Sequence, residues 1–322
     1  MSSLTEPPSA PPAPRTGWRP SRTLTRRVLW ANLVGQVVIV VTGGAVRLTG
    51  SGLGCSTWPE CEPGEFTPVL HEATTWHPLI EFANRTLTGV LVLLAVATAV
   101  VVLRGPRRPR SVRLLALVPL IGVLLQAVVG GISVLVDLHP AVVGSHFLIS
   151  MVLVAASAAL VLREAQPDGP ARVVVGARAR TLSLVLVPLG VAVLGLGVVV
   201  TGSGPHSGDD DAASRWALDP AAISRVHSLS VWLYTAVLVA VLLLLRREAT
   251  TGDGPVVDAH RATRVLLAVT LAQALIGYVQ YLTGLPELLV AAHMLGACLL
   301  VMAQTAQLAA QTVRGPVRAA VA

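Results

Sequence analysis

The chain has 322 residues, of which 53% are apolar and only 13% charged, with a mean hydropathy of +0.71 and a formal net charge of +7. A water-soluble domain of this length needs far more charge to cover its surface, so that class is excluded. The basic balance does not call for nucleic acid, because the arginines sit at the ends of apolar runs and lack interleaved aromatic residues.

Residues 1–27, rich in Pro, Ser and Arg, contain no apolar h-region and read as a disordered tail rather than a cleaved signal. Eight apolar runs follow, at 28–46, 79–103, 114–135, 141–162, 182–201, 221–245, 265–284 and 288–310. Each approaches the roughly 20 residues that cross a hydrocarbon core about 30 Å thick. The fold class is an all-α polytopic membrane protein. One side carries Arg15, Arg19, Arg22, Arg26 and Arg27, then Arg104, Arg107, Arg108, Arg110 and Arg113. Arg163, Arg172, Arg178, Arg180, Arg246, Arg247, Arg261, Arg264, Arg314 and Arg318 fall on the same side. Only Arg47 and Arg215 lie in loops on the other, so both termini are expected in the cytoplasm.

The outside loops are acidic instead, with Glu60, Glu62, Glu65 and Glu72 in the first and Asp209, Asp210, Asp211 and Asp219 in the third. The first also holds Cys55 and Cys61, two thiols on the oxidising face that suggest a disulfide or a redox-active pair. Trp58 and Trp76 in this region fit either a cover over an outer pocket or interfacial anchoring. Cys298, alone in the last span, reads as a small buried hydrophobe. His71, His139, His206 and His260 lie in or near loops and read as solvated.

Span 2 opens with "HPLIEFANRTLTG", which places Glu81, Asn84 and Arg85 in its first two turns. Glu81 shares a helical face with His77, Asn84 and Thr88. A carboxylate beside a substrate cavity suits proton abstraction or stabilisation of developing positive charge. The plainer alternative is a structural pair with Arg85 at i+4, near a helix N-terminus that favours an anion.

The chain also repeats itself. "QAVVGGISVLVDLHPAVVGSHFLIS" from Gln126 matches "QALIGYVQYLTGLPELLVAAHMLGA" from Gln273 at a constant offset of 147, pairing Gly130 with Gly277 and His146 with His293. Thr42-Gly43 in span 1 matches Thr201-Gly202 in span 5, and Asn84 in span 2 stands opposite His227 in span 6. Ordered matches of this kind predict two four-helix halves, and four spans per half make the repeats parallel. The expected organisation is a tail at 1–27, a first half at 28–162, a cytoplasmic linker at 163–181, a second half at 182–310 and a tail at 311–322.

Glu81, Asn84, His146, His227 and His293 all lie about 4–11 Å into even-numbered spans from the outer end. Spans 6 and 8 then point His227 and His293 into one bundle interior from opposite sides. A lone intramembrane His is usually a hydrogen-bonded polar residue, but two at equal depth fit ligands of haem iron or another metal. Zinc fits less well, since further Cys, His or carboxylate ligands are not at hand. In the first half His146 faces Asn84, a poor iron ligand, which suggests a closed redox site behind and an open site in front.

With these residues in place the sequence resembles the haem A synthases of bacteria and mitochondria over about residues 28–310. The most specific segment is "GGAVRLTGSGLGCSTWPECEPGEFTPV". The resemblance implies oxidation of the C8 methyl of haem O to a formyl group, by two hydroxylations with water-derived oxygen, in the bacterial cell membrane. It implies a haem b cofactor between His227 and His293, haem O in the first half with His146 as axial ligand, and Glu81 as the catalytic carboxylate. Asn84 and Arg85 would line the substrate pocket, Cys55 and Cys61 would form a disulfide, and haem O synthase and a terminal oxidase are the candidate partners. Many family members have a second His where this chain has Asn84; His77, water or no ligand would take its place. Competing classes are a b-type membrane cytochrome, which calls for ligand pairs in both halves, a non-catalytic haem carrier, which would tolerate loss of Glu81, and a transporter.

Overall fold

The computed structural model describes residues 18–69, 76–106, 108–209, 214–250 and 254–315; Arg15, His71, Glu72, Arg107, Asp210, Asp211 and Arg318 lie outside them. The helices are α1 (Arg22–Leu48), α2 (His77–Arg104), α3 (Arg110–Leu115), α4 (Val118–Leu135), α5 (Pro140–Glu164), α6 (Ala177–Ser203), α7 (Pro220–Ala249), α8 (Gly254–Leu282) and α9 (Glu287–Ala310). Two short strands, β1 (Ala171–Val173) and β2 (Thr312–Arg314), complete the described elements. Eight helices are long and apolar enough to cross a membrane, with α3 and α4 together forming the third.

Local chemistry sets several boundaries. Ser21 caps α1 by accepting from the Leu24 N–H at 3.1 Å, so the helix begins six residues ahead of the expected span. Apolarity marks where a chain enters the hydrocarbon, whereas the cap marks where the helix starts. Asp219 caps α7 in the same way through the Ala221 N–H at 3.0 Å, with Pro220 in the first turn. The third span breaks at Ala116–Leu117, just ahead of Pro119, which lacks an N–H and disfavours helix before it. Helix α8 starts at Gly254 and carries His260, half-buried, in its second turn, near the loop that precedes the helix.

The helices form two rings. In the front ring α1 packs on α2, α2 on α4, α4 on α5 and α5 on α1; in the back ring the order is α6, α7, α8, α9 and back to α6. Thus α2 and α5 are diagonal in one ring, as are α7 and α9 in the other. The rings join through α5 on α9, α1 on α9 and α5 on α6. Leu33, Val40, Met151, Val154, Ala297 and Cys298 fill this junction, and Cys298 is fully buried there as a small apolar group. Leu186, Tyr234, Leu238, Val241, Leu266 and Leu300 fill the back ring nearer the end that carries the termini.

Pairs of contacts recur at the offset of 147. The Leu138 N–H donates to the Ser133 carbonyl at 2.8 Å, and the Leu285 N–H to the Gln280 carbonyl at 2.7 Å. Each six-to-one closure turns on two left-handed residues, Asp137 and Leu138 (φ 48° and 54°) in front and Gly284 and Leu285 (78° and 62°) behind, so the position that glycine usually takes is a glycine only in the back ring. Leu138 compensates by packing: its side chain fills the space where Gly52 and Gly208 lack a Cβ. The Gly52 N–H donates to the Gly208 carbonyl at 2.8 Å, which ties the distal loops of the two rings together. Gly208 has φ +105°, open only to glycine.

At the end carrying the termini, β1 and β2 pair antiparallel, joining the segment after α5 to the segment after α9. Arg108 bridges Glu164 and Asp168, and Arg163 also reaches Asp168. The expected linker at 163–181 and tail at 311–322 are therefore tied together where they are described.

Candidate functional site

Three intramembrane histidines come from α5, α7 and α9, so each projects from a diagonal member of its ring. A glycine on a neighbouring helix borders each imidazole. A Cβ at Gly130 would lie 3.2 Å from the His146 Cε1, at Gly277 3.3 Å from the His293 Cε1, and at Gly197 3.4 Å from the His227 Cε1. The first two separations are tighter than ordinary contact and the third is at its near limit, so Gly130 and Gly277 in particular make room for their rings. The Nδ1 atoms of all three are buried without a hydrogen-bond partner. The imidazole rings as a whole are half-buried, and a buried nitrogen without a partner is costly unless another group engages it.

The main chain beneath two of these histidines is held by a matched glutamine. The Gln126 Nε2 donates to the His146 carbonyl at 2.8 Å, and the Gln273 Nε2 to the His293 carbonyl at 2.9 Å. Sequence reasoning paired these glutamines as repeat positions but gave them no task. Their spacing of 20 residues from each histidine, twice over, was the available signal.

The front ring differs at α2. Asn84 is half-buried, and its Oδ1 accepts from the Thr42 hydroxyl of α1 at 2.8 Å. His77 is engaged by the Ser51 hydroxyl, Nδ1 to Oγ 2.8 Å, at the start of α2. Glu81 is 5% exposed, and both its oxygens are held. Oε2 accepts from the Cys55 N–H at 2.7 Å, and Oε1 accepts from the Arg85 Nε at 3.0 Å and from a second guanidinium nitrogen. The i, i+4 pair is thus present. Arg85 reaches on to the carbonyls of Thr57 and Glu60, at 2.9 and 3.1 Å. It is committed to the loop after α1 as much as to α2.

That loop is closed by a Cys55–Cys61 disulfide, with both cysteines fully buried. The indole of Trp58 lies against α4, where a Cβ at Gly131 would come within 2.5 Å of its ring. Trp58 therefore covers the distal end of the front ring, whereas Trp76 stays 78% exposed. His206, expected in solvent, instead contacts the Leu285 carbonyl through Nε2 at 3.0 Å and is half-buried, because the distal loops pack on each other. His139 is exposed and caps α5 through the Ala141 N–H. Arg47, placed by sequence in a loop, ends α1 and donates to the Thr201 carbonyl at 2.7 Å, a bond between rings that single-sequence reading missed.

The donor set fits a haem better than a bare ion. Among the described residues there is no cluster of three or more His, Cys, Asp or Glu side chains able to hold a metal ion. Two imidazoles on diagonal helices are sufficient only for a metal whose other ligands come with it.

The fold and site define a multi-pass helical membrane protein whose two four-helix rings carry half-buried intramembrane histidines near one end. The family model for COX15-CtaA, cytochrome oxidase assembly protein, matches residues 26–305, and the chain belongs to that family. Curated relatives include the "Heme A synthase" of Bacillus pumilus (strain SAFR-032), 36% identical over 119 residues, which are 36% of this chain and 37% of that protein. The "Heme A synthase" of Lysinibacillus sphaericus (strain C3-41) is 34% identical over 131 residues, 39% of this chain and 40% of the relative. That of Halalkalibacterium halodurans is 28% identical over 145 residues, 44% and 47%. The matched stretches thus span less than half the length of each of these relatives. Eight apolar helices and bacterial relatives make this a multi-pass protein of the plasma membrane.

Proposed function

We propose that the protein is a haem A synthase, oxidising the C8 methyl of haem O to a formyl group for a terminal oxidase. The carrying observation supporting this reading is the asymmetry of the rings: the back ring has a histidine at each end of the α7–α9 diagonal, whereas the front ring has His146 on α5 but Asn84, bonded to Thr42, on α2. In this reading residues 182–310 hold haem b between His227 and His293, and residues 28–162 receive haem O on His146. Both termini lie in the cytoplasm, consistent with the arginine asymmetry. Bound haem b supplies a one-electron relay out of the front site.

The net change at the methyl is addition of two waters and loss of four electrons and four protons, through an alcohol to a hydrated aldehyde that loses one water. Glu81 is the carboxylate assigned to this chemistry. With Arg85 and the Cys55 N–H donating to it, it is held as an acceptor, which suits stabilising positive charge that develops beside the methyl. Asn84 presents an amide where an imidazole would close the iron, so the substrate is held from the His146 side and can leave as product.

The test is chromatography of haems extracted from cells that make haem O, with and without this chain and with the native electron acceptor supplied. Haem A or its alcohol precursor appearing only with the chain supports the enzyme. Haems B and O alone, alongside a low-spin b-type spectrum in the purified protein, would favour a cytochrome or a carrier.

A further inference from the structure

The two rings differ at one more place, the seam between the second and third spans of each. In the back ring this seam is stitched by side chains: the Tyr278 hydroxyl of α8 bonds the Ser228 hydroxyl at 2.7 Å and accepts from the Trp232 indole N–H at 3.0 Å, both on α7. Ser228 follows His227 in the chain, and Tyr278 follows Gly277, which borders His293. The stitch therefore covers the lipid-facing side next to the paired histidines.

Counting from Asn84 and His227, the front counterparts of Ser228 and Trp232 are Arg85 and Gly89; counting from His146 and His293, that of Tyr278 is Gly131. None supplies a stitch across α2 and α4. Gly89 is exposed and a Cβ there would meet nothing within 4 Å. Arg85 is turned to the distal loop. Gly131 is covered by a group from outside the ring, the indole of Trp58. The backbone that carries the indole is fixed, leaving the side chain itself to move: the Cys55–Cys61 disulfide spans it, and Arg85 grips the carbonyls of Thr57 and Glu60 on either side of it.

We propose that the α2–α4 seam is the lateral entrance through which the porphyrin substrate passes between the bilayer and the front ring, with Trp58 as its gate. This rests on the reading of the front ring as the substrate half. A resident cofactor needs no passage, and its seam is closed by hydrogen bonds within the helices. A substrate that enters and leaves as product needs one. Its seam, packed by apolar side chains nearer the other end, has at its distal end no stitch at the matching positions but the cover of a side chain on a loop, which can lift without unpacking any helix. The disulfide and the Arg85–Glu81 pair then act as positioning elements for the gate.

The experiment uses the full chain, retaining its haem b, in lipid nanodiscs, with haem O presented in donor vesicles and uptake followed by difference absorbance. Trp58→Ala is expected to speed uptake and release by about tenfold, with a smaller change in the amount bound at equilibrium. Gly89→Trp, placed in open space and copying Trp232, is expected to slow both by about tenfold. If Trp58→Ala loses the back-ring spectrum through misfolding, Gly89→Trp decides alone. Wild-type rates in both variants, with normal equilibrium binding, would overturn the gate while leaving the substrate half intact. A wild-type protein that keeps haem b but takes up no haem O would overturn the substrate half, and the gate with it.

Discussion

The front and back rings share a plan and diverge where chemistry would require it. Each has a glutamine under a histidine carbonyl, a glycine against the imidazole and a left-handed leucine before the next helix. The back ring adds a second histidine on its other diagonal helix and closes its seam with Tyr278 and Trp232. At the corresponding place the front ring has Asn84 bonded to Thr42, and it gains a disulfide-bonded loop clamped by Glu81 and Arg85. On the proposed function, the shared parts would hold a porphyrin and the divergent parts would decide whether it stays.

The harshest break of this comparison is at the back ring. His227→Ala or His293→Ala should remove the low-spin b-type spectrum of the purified protein entirely, because one imidazole is a poor hold in a site built from two. A variant that kept a bis-histidine spectrum would place the cofactor elsewhere. Next in size, Glu81→Gln should keep that spectrum and lower haem A formation by about 10²- to 10⁴-fold, the range for a positioned carboxylate. Arg85→Met is the informative companion. It strands a buried carboxylate, at a cost of about 3–5 kcal/mol, and frees the loop. If both variants lose product equally and Glu81→Gln also loosens the loop, as read by faster reduction of Cys55–Cys61, then Glu81 acts as an anchor and not at the methyl.

Asn84→His would rewrite the front ring in the image of the back. The expected outcome is a second low-spin haem signal, read by electron paramagnetic resonance, with product formation reduced because the substrate iron is now closed on both sides. Thr42 would lose the Asn84 acceptor but keep the Ile39 carbonyl at 3.3 Å, a loss of about 1 kcal/mol that the fold tolerates. An unchanged spectrum in protein loaded with haem O would mean that residue 84 does not face the iron.

Much of this was legible in the sequence because the bilayer simplifies the code. Eight apolar runs, the arginine asymmetry and the paired histidines each follow from hydrophobicity or from a rare residue in an apolar stretch. The diagonal placement of the even spans also followed from topology. What remained hidden depends on contacts between distant segments. The Cys55 N–H on Glu81, Trp58 over Gly131 and Arg47 on Thr201 each join residues 26, 73 and 154 positions apart, and hydropathy says nothing about such pairings. His206 misled for the same reason: a histidine in a polar loop looks solvated until a second loop folds over it.

The subtlest prediction separates the matched glutamines. The Gln126 Nε2 holds the His146 carbonyl and also bonds the Ser150 hydroxyl at 2.6 Å, and Ser150 itself donates to the same carbonyl at 3.1 Å. In the back ring the position matching Ser150 is Ala297, which has no hydroxyl, so among the described residues the His293 carbonyl takes its side-chain hydrogen bond from Gln273. Gln126→Leu therefore leaves a substitute donor in place, whereas Gln273→Leu does not. Each removes a bond of about 1 kcal/mol, but the back-ring variant should show the larger drop in thermal stability, read from the Soret band of the retained haem b. Equal drops would mean that Ser150 does not support the histidine it touches, and that the rings are held to the same tolerance despite their different occupants.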